Sequence, residues 1–342
     1  MTHGPTGVLL VNLGTPDSPD PLAVRRYLTE FLTDGRVIDL PWLRRQLLVR
    51  WIIIPSRYKQ SAKAYKKIWT SEGSPLLLYG RRVQAALQKT LGNDFIVEFG
   101  MRYQQPSLKG TVQKLMDQGI SHLIVVPLFP QYASATTGSV QQRVFELMSA
   151  YTVIPKVSVI AHYYNNSKMV DAFCAQAKKR LDDSYDHILF SFHGLPEAQL
   201  IKVDQCGHCL KSADCCITMS QKNANCYSAQ CHATATAIAQ QLQIPKEKYS
   251  LCFQSRLGKA PWLRPYAGET IINAAKAGHK KILLFSPSFV CDCLETLYEI
   301  GIEYAEEFKM AGGEQLDLVE GLNDHPLWID ALSSLVHSHS RT

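Results

Sequence analysis

Three groups of residues in this 342-residue chain have the types and spacing to do chemistry. The first is "CGHCLKSADCCITMSQKNANCYSAQC", Cys206 to Cys231, which holds six of the ten cysteines. Cysteines so spaced can bind zinc or an iron–sulfur cluster, form a redox switch, or be cross-linked as disulfides. The second is His193 in "SFHGLPE", directly after an apolar run and in a Gly/Pro turn. A histidine there suits a general base or a metal ligand, because its charge changes near neutral pH; the plainer alternative is a hydrogen-bonded structural histidine. The third is "CDCLETLYEIGIEYAEEF", where Glu295, Glu299 and Glu303 recur at i, i+4 and i+8 after Asp292. On a helix these glutamates form one ridge, and such like-charge neighbours call for a cation or solvent. Carboxylate oxygens so arranged suit a hydrated divalent ion. A solvated helix face is the alternative, but Leu294, Leu297, Tyr298 and Ile300 argue for partial burial.

The elements that must position these groups show in the apolar pattern. "GVLLVNLGTP", "HLIVVPLFPQYASATTGS", "HILFSFHGLPE" and "KILLFSPSFVCDCLETLYEI" are short apolar runs that end in loops of small, polar or proline residues. They read as strands buried on both faces of a parallel sheet. Helical patterns lie between them. In "DPLAVRRYLTEFL", Asp20 is the expected N-cap and Pro21 the first helical residue, with Leu22, Val24, Leu28, Phe31 and Leu32 as the buried stripe. The fold class is therefore α/β with right-handed crossovers. Three motif pairs repeat in the same order: "VLLVNLGTP" with "ILFSFHGLP", "FGMRY" with "FQSRL", and "GISHLIVVPLF" with "GHKKILLFSPSF". The echo divides the chain into related halves at 1–160 and 161–342, the second carrying the cysteine-rich insertion at about 198–230. In open sheets of this kind, ligands sit beyond the C-terminal ends of the strands.

Hydrophobic residues at 46% and charged residues at 19% indicate a folded globular chain. A net charge of +6, spread out with no block of Lys and Arg among aromatics, gives no sign of nucleic-acid binding. No apolar run reaches the length that spans a bilayer, and the N-terminus reads as a buried strand and not a signal peptide. The expected location is the cytoplasm, where structural disulfides are rare. The segment 40–60, "LPWLRRQLLVRWIIIPSRYKQ", mixes Trp42, Leu43, Leu47, Trp51 and Ile52 with Arg44, Arg45, Arg50, Arg57 and Lys59. It fits a peripheral membrane contact at the inner membrane, the lip of a pocket for an apolar anionic ligand, or an ordinary helix packed on the sheet.

Taken together the motifs resemble the ferrochelatases, which insert Fe2+ into a porphyrin. "VLLVNLGTPDSP", "MRYQQP", "FPQYASATTGS", "SFHGLPE", "FQSRLGKAPWLRP" and "CDCLETLYEIGIEY" stand in that family's order. The resemblance implies two flavodoxin-like, doubly wound domains with a porphyrin cleft between them. It carries the catalytic histidine onto His193 and the catalytic glutamate onto Glu295, with Glu299, Glu303 and Asp292 along the metal path. Arg102, Tyr103 and Trp262 match porphyrin-binding residues, and Arg57, Tyr65 and Ser74 match contacts to its propionates. Cys293 stands where some relatives have histidine.

The resemblance also bears on the cysteines. Some bacterial ferrochelatases carry an internal cysteine-rich segment that holds a [2Fe–2S] cluster, and the resemblance implies one here on four of Cys206, Cys209, Cys215, Cys216 and Cys226. Zinc is the alternative occupant, and Cys231 reads as structural. The implied reaction is Fe2+ insertion into protoporphyrin IX. Coproporphyrin III as substrate, and an inactive iron–sulfur or haem sensor on the same fold, are the alternatives. The oligomeric state is not legible in the sequence.

Overall fold

The computed structural model describes residues 4–212, 214–258 and 260–340; Ala213 of the cysteine stretch and Lys259 of "FQSRLGKAPWLRP" lie outside the described residues. The chain forms two compact units. The first runs to Phe129 and includes Ala133–His162 and the segment from Asn323 onward; the second is Tyr163–Leu322 with Pro130–Tyr132. The C-terminal segment, which the sequence places with the second half, thus belongs to the first unit. It ends in a helix whose buried Trp328, Leu332 and Val336 need an apolar neighbour, and it packs on the helix Pro75–Leu91 and the strand His122–Pro127.

In the first unit, β1 (Thr6–Gly14) is followed by α1 (Pro21–Leu32), α2 (Trp42–Leu48), α3 (Ile54–Ile68) and α4 (Pro75–Leu91). Then come β2 (Phe95–Tyr103), α5 (Leu108–Asp117), β3 (His122–Pro127), α6 (Ser139–Met148) and β4 (Lys156–Val159). The sheet is parallel, in the order β2-β1-β3-β4. Side chains alternate across it: Leu9, Val11, Leu123 and Val125 pack under α5 and α6, so Val8, Leu10, Ile124 and Val126 face the opposite side, where they are fully buried too. α1 begins where expected, but Asp20 accepts from Ser18 Oγ (2.9 Å) and makes no side-chain cap bond. Its buried stripe is Ala23, Val24, Tyr27 and Leu32, with Leu22 66% exposed, because Leu22 lies about 200° round the helix from Val24.

The second unit repeats the plan. β5 (His187–His193), β6 (Tyr249–Gln254), β7 (Lys281–Phe285) and β8 (Gln315–Leu318) form a parallel sheet in the order β6-β5-β7-β8. Its helices are α7 (Ser167–Ala177), α8 (Glu197–Val203), α9 (Tyr227–Gln241), α10 (Ala267–Lys276) and α11 (Ala305–Met310); α12 (Pro326–Ser340) is the helix that returns to the first unit. Each unit therefore places its first strand between its second and third, and the three echoed motif pairs fall on β1 and β5, β2 and β6, and β3 and β7. The likeness extends to detail. A π-helical stretch follows the third strand in both units, Ser134–Gly138 after β3 and Glu295–Tyr304 after β7.

Candidate active site

His193 is the last residue of β5, the central position where the sheet's C-terminal edge opens. Alternation along β5 puts it on the side of Leu189, the face covered by α10 and the π-helix Glu295–Tyr304. His193 Nδ1 lies 2.7 Å from the Gly194 carbonyl, which can only accept, so Nδ1 carries a hydrogen, and in the neutral imidazole the lone pair is on Nε2. The turn needs glycine at 194 because a Cβ there would stand 2.8 Å from the Gln254 carbonyl and 3.3 Å from the Trp262 ring. Main-chain bonds from Leu263 N to Leu195 O (3.0 Å) and Glu197 N to Pro261 O (3.0 Å) pin the following loop and bring Trp262 against this turn.

The acidic run lies on a π-helix and not the α-helix expected. The wider turn still keeps every fourth residue near one side, since four residues fall only slightly short of one π-turn instead of slightly over one α-turn. Glu299 Oε2 accepts from Ser255 Oγ (2.7 Å) and Gln254 Nε2 (3.4 Å), and Oε1 accepts from Tyr304 Oη (3.0 Å). Gln254 is also the strand partner of His193, so Glu299 is held at the sheet edge next to the histidine's own register position. Ser255 reaches it from a left-handed backbone (φ 66°), unusual for a side-chain-bearing residue. Burial, then the charges of Glu303 and Glu299, push the Glu307 carboxyl above its ordinary range, so the ridge includes a fourth glutamate that the sequence reading left out. Asp292 faces inward at 4% exposure, accepting from Thr296 Oγ1 (3.0 Å) and Gly321 N (3.2 Å); it braces the loop before the π-helix. The buried Cys293 thiol is pushed well up by burial and by the nearby Glu295 carboxylate.

The model of the ferrochelatase family matches residues 5–340. The chain belongs to the ferrochelatase family. It is 46% identical over 329 residues to the ferrochelatase of Ectopseudomonas mendocina, covering 96% of each chain. It is 43% identical to that of Coxiella burnetii (96% of this chain, 92% of the relative) and 42% to that of Legionella pneumophila (97% and 98%). Among solved structures, SirB from Bacillus subtilis with Fe3+ superposes with a TM-score of 0.54 at 13% identity over 98% of this chain and 95% of its own. At that identity the likeness concerns the fold.

The residues of the first unit matched to porphyrin contacts in ferrochelatases divide by exposure. Arg57 is exposed, while Tyr65, Ser74 and Tyr103 are buried. Ser74 Oγ is 2.8 Å from Thr15 Oγ1, and Tyr65 packs edge-on against Tyr27 and Trp69. Arg102 is committed internally: Nη2 donates to Asp34 Oδ2 at 2.6 Å, and Nε to Ser139 Oγ at 2.7 Å. Tyr103 Oη also donates to Asp34 Oδ2, at 2.8 Å. Burial alone would raise the Asp34 carboxyl, but hydrogen bonds from Ser139, Arg36 N–H and Tyr103, with the Arg102 charge, bring it below the usual carboxylate range. Nothing in the sequence marked Asp34, whose Oδ2 partners lie far along the chain.

The five candidate cysteine ligands line one cavity of about 300 Å³, together with His208. Cys215 Sγ and Cys216 Sγ are 3.3 Å apart, and Cys216 Sγ and Cys226 Sγ 3.6 Å. Two thiolates on one tetrahedral metal at about 2.3 Å would stand roughly 3.8 Å apart, so both pairs are closer than ligation by one metal would set them. Cys226 is the N-cap of α9. A hydrogen bond from Cys216 lowers the Cys226 thiol to about 6 against the effect of burial, aided by the N–H groups of Ala229 and Ser228. Burial and the neighbouring Cys226 and Cys215 push Cys209 up to about 11. The exposed Cys206 Sγ points to Asp204 Oδ1 (3.4 Å) and the Lys222 carbonyl (3.6 Å), which line the same cavity. Among the described residues no group of three or more His, Cys, Asp or Glu side chains could hold a metal ion as placed; what suits a thiophilic metal is the chemistry of the donor set, five thiols on one cavity.

Proposed function

We propose that the chain inserts Fe2+ into protoporphyrin IX, releasing two protons, with His193 Nε2 accepting a pyrrole proton and Glu295 passing it on. The observation that carries this reading is the placement of a histidine with Nε2 free to accept at the end of β5, beside the glutamates that follow the adjacent strand β7. Strand ends of an open parallel sheet are where such folds bind ligands. Glu299 and Glu303 supply oxygen ligands for the incoming substrate ion. Glu299's partners are neutral donors, so its charge is available to a cation. Asp292 supports the loop and is left out of the metal path. Trp262, held against the histidine turn, supplies an apolar wall for the macrocycle, and the exposed Arg57 is assigned to a porphyrin carboxylate.

The test is anaerobic Fe2+ insertion followed by loss of porphyrin fluorescence, with coproporphyrin III alongside. Faster turnover of protoporphyrin is expected; His193→Ala and Glu295→Gln should each lose at least about a hundredfold in kcat, the usual worth of a general base, while still binding porphyrin. Turnover of neither porphyrin would overturn the reading.

For the thiol cavity we propose a [2Fe–2S] cluster held by Cys209, Cys216, Cys226 and a fourth thiolate from Cys206 or Cys215. A bound cluster would supply a one-electron couple and a cross-link of the insertion. Anaerobically purified protein should show charge-transfer absorption in the visible; a colourless protein with stoichiometric zinc would assign the cavity to zinc. The exposed apolar face of α2 and the turn after it supports a peripheral membrane contact: Trp42, Leu43, Leu47, Trp51 (75% exposed) and Ile52 all face solvent.

A further inference from the structure

β5 and β7 stop pairing at Phe190 and Phe285, three residues before His193. On its other side β5 stays paired with β6 as far as His193 and Gln254, and Gly194 N still donates to Gln254 O (2.8 Å). The backbone of His193 toward β7 is therefore without a strand partner, at the point where a reacting group needs a fixed frame. Two side chains replace the missing strand. Ser288 Oγ, from the loop after β7, accepts from His193 N at 3.2 Å. Tyr227 Oη donates to the His193 carbonyl at 2.9 Å. Tyr227 is 7% exposed and starts α9 immediately after the cap residue Cys226. The end of that helix is itself anchored: Cys226 N donates to Asn223 O (2.8 Å), and Asn223 Nδ2 donates to the carbonyls of Cys215 and Thr218 (2.9 Å each).

We propose that Tyr227, with Ser288, is a positioning residue that clamps the His193 peptide from the strandless side and so fixes the direction of the imidazole. The clamp is seated on the wall of the thiol cavity, one residue from Cys226. It acts on the orientation of the proton acceptor and not on porphyrin binding, and it rests on the assignment of His193 as that acceptor.

Tyr227→Phe removes the hydroxyl and keeps the ring. With Fe2+ and protoporphyrin IX under anaerobic conditions, kcat is expected to fall about tenfold, as a slight misplacement of a reacting group does, while the porphyrin KM stays within about twofold. Melting temperature and the visible absorption of the cysteine cavity should match the parent. Ser288→Ala should show the same split, and the double variant should lose less than the product of the two, because both hold the backbone of one residue, Ser288 at the N–H and Tyr227 at the carbonyl. Parental kcat in folded Tyr227→Phe and Ser288→Ala proteins, with His193→Ala inactive, would overturn the clamp alone. Parental turnover in His193→Ala would overturn the clamp together with the assignment of the histidine. If Tyr227→Phe does not fold, Ser288→Ala alone decides the matter by the same kcat and KM comparison.

Discussion

Asp34 shows how one residue can carry the order of its surroundings. Its Oδ2 accepts from Arg102 and Tyr103 at the end of β2, at 2.6 and 2.8 Å, and from Ser139 at the start of α6, at 2.6 Å. Removing one partner of a buried ion pair leaves the other charge uncompensated, so Asp34→Ala should destabilise the protein by about 3 kcal/mol in urea unfolding. The sign with pH follows from its lowered folded-state value. The contribution is full above the unfolded carboxylate pKa of about 3.9 and fades as pH falls through the lower folded value. Asp34→Ala should therefore flatten the acid limb of the stability curve; an unchanged limb would remove Asp34 from its causes. The same residue qualifies the expectation for Arg102, whose guanidinium is already paired.

At the scale of elements, two irregular stretches follow from local chemistry. Pro55 has no N–H to donate, and the backbone widens into a π-turn at Val49–Ile53 just ahead of it, which turns Trp51 and Ile52 outward. If that face meets lipid, Trp51→Ser with Ile52→Ser should abolish sedimentation with anionic vesicles while leaving the melting temperature nearly unchanged, because neither side chain is buried. Equal sedimentation of variant and parent would remove the membrane role. In the cysteine insertion, position relative to α9 sets the expected order. Cys226→Ala removes a thiol at the helix cap next to Tyr227; it should lower kcat and, if the cavity holds the proposed cluster, abolish its visible absorption. Cys206→Ala, whose thiol faces Asp204, should leave kcat closer to that of the parent; the reverse order would show that the cap does not transmit to the histidine.

For the whole molecule, the second unit contains histidines whose burial disfavours charge. Burial holds His187 and His232 at about 4, with smaller contributions from His279 and Lys248 on His187 and from Lys246 on His232. Between the unfolded value of about 6.5 and pH 4 the unfolded chain binds protons that the folded one does not, so stability should decline steadily across that window. His187→Gln, which keeps a polar group toward Ser250, should reduce the slope measured by urea midpoints; an unaltered slope would exclude His187 as a source. The paired sheet orders, β2-β1-β3-β4 and β6-β5-β7-β8, also explain why equivalent loops carry different chemistry. The same strand ends present Ser134–Gly138 in one unit and the glutamate π-helix in the other.

The buried strands, the α/β class and the internal echo were legible in the sequence because parallel strands must be apolar along their whole length and their loops must turn sharply. The positions of His193 at the end of one such strand and of Glu295, Glu299 and Glu303 in the segment that follows another were legible too, since each stands in a local motif. Contacts between residues distant in sequence were decided only by the tertiary structure. Asp34 beneath Arg102 and Tyr103, Tyr227 and Ser288 on the His193 peptide, and Asp292 bonded to Gly321 leave no periodic mark, because each depends on where separate elements end in space. The same holds for the return of α12 to the first unit, where surface left by other elements covers its apolar face. Local spacing encodes what a residue can do, and packing selects which residues hold it in place.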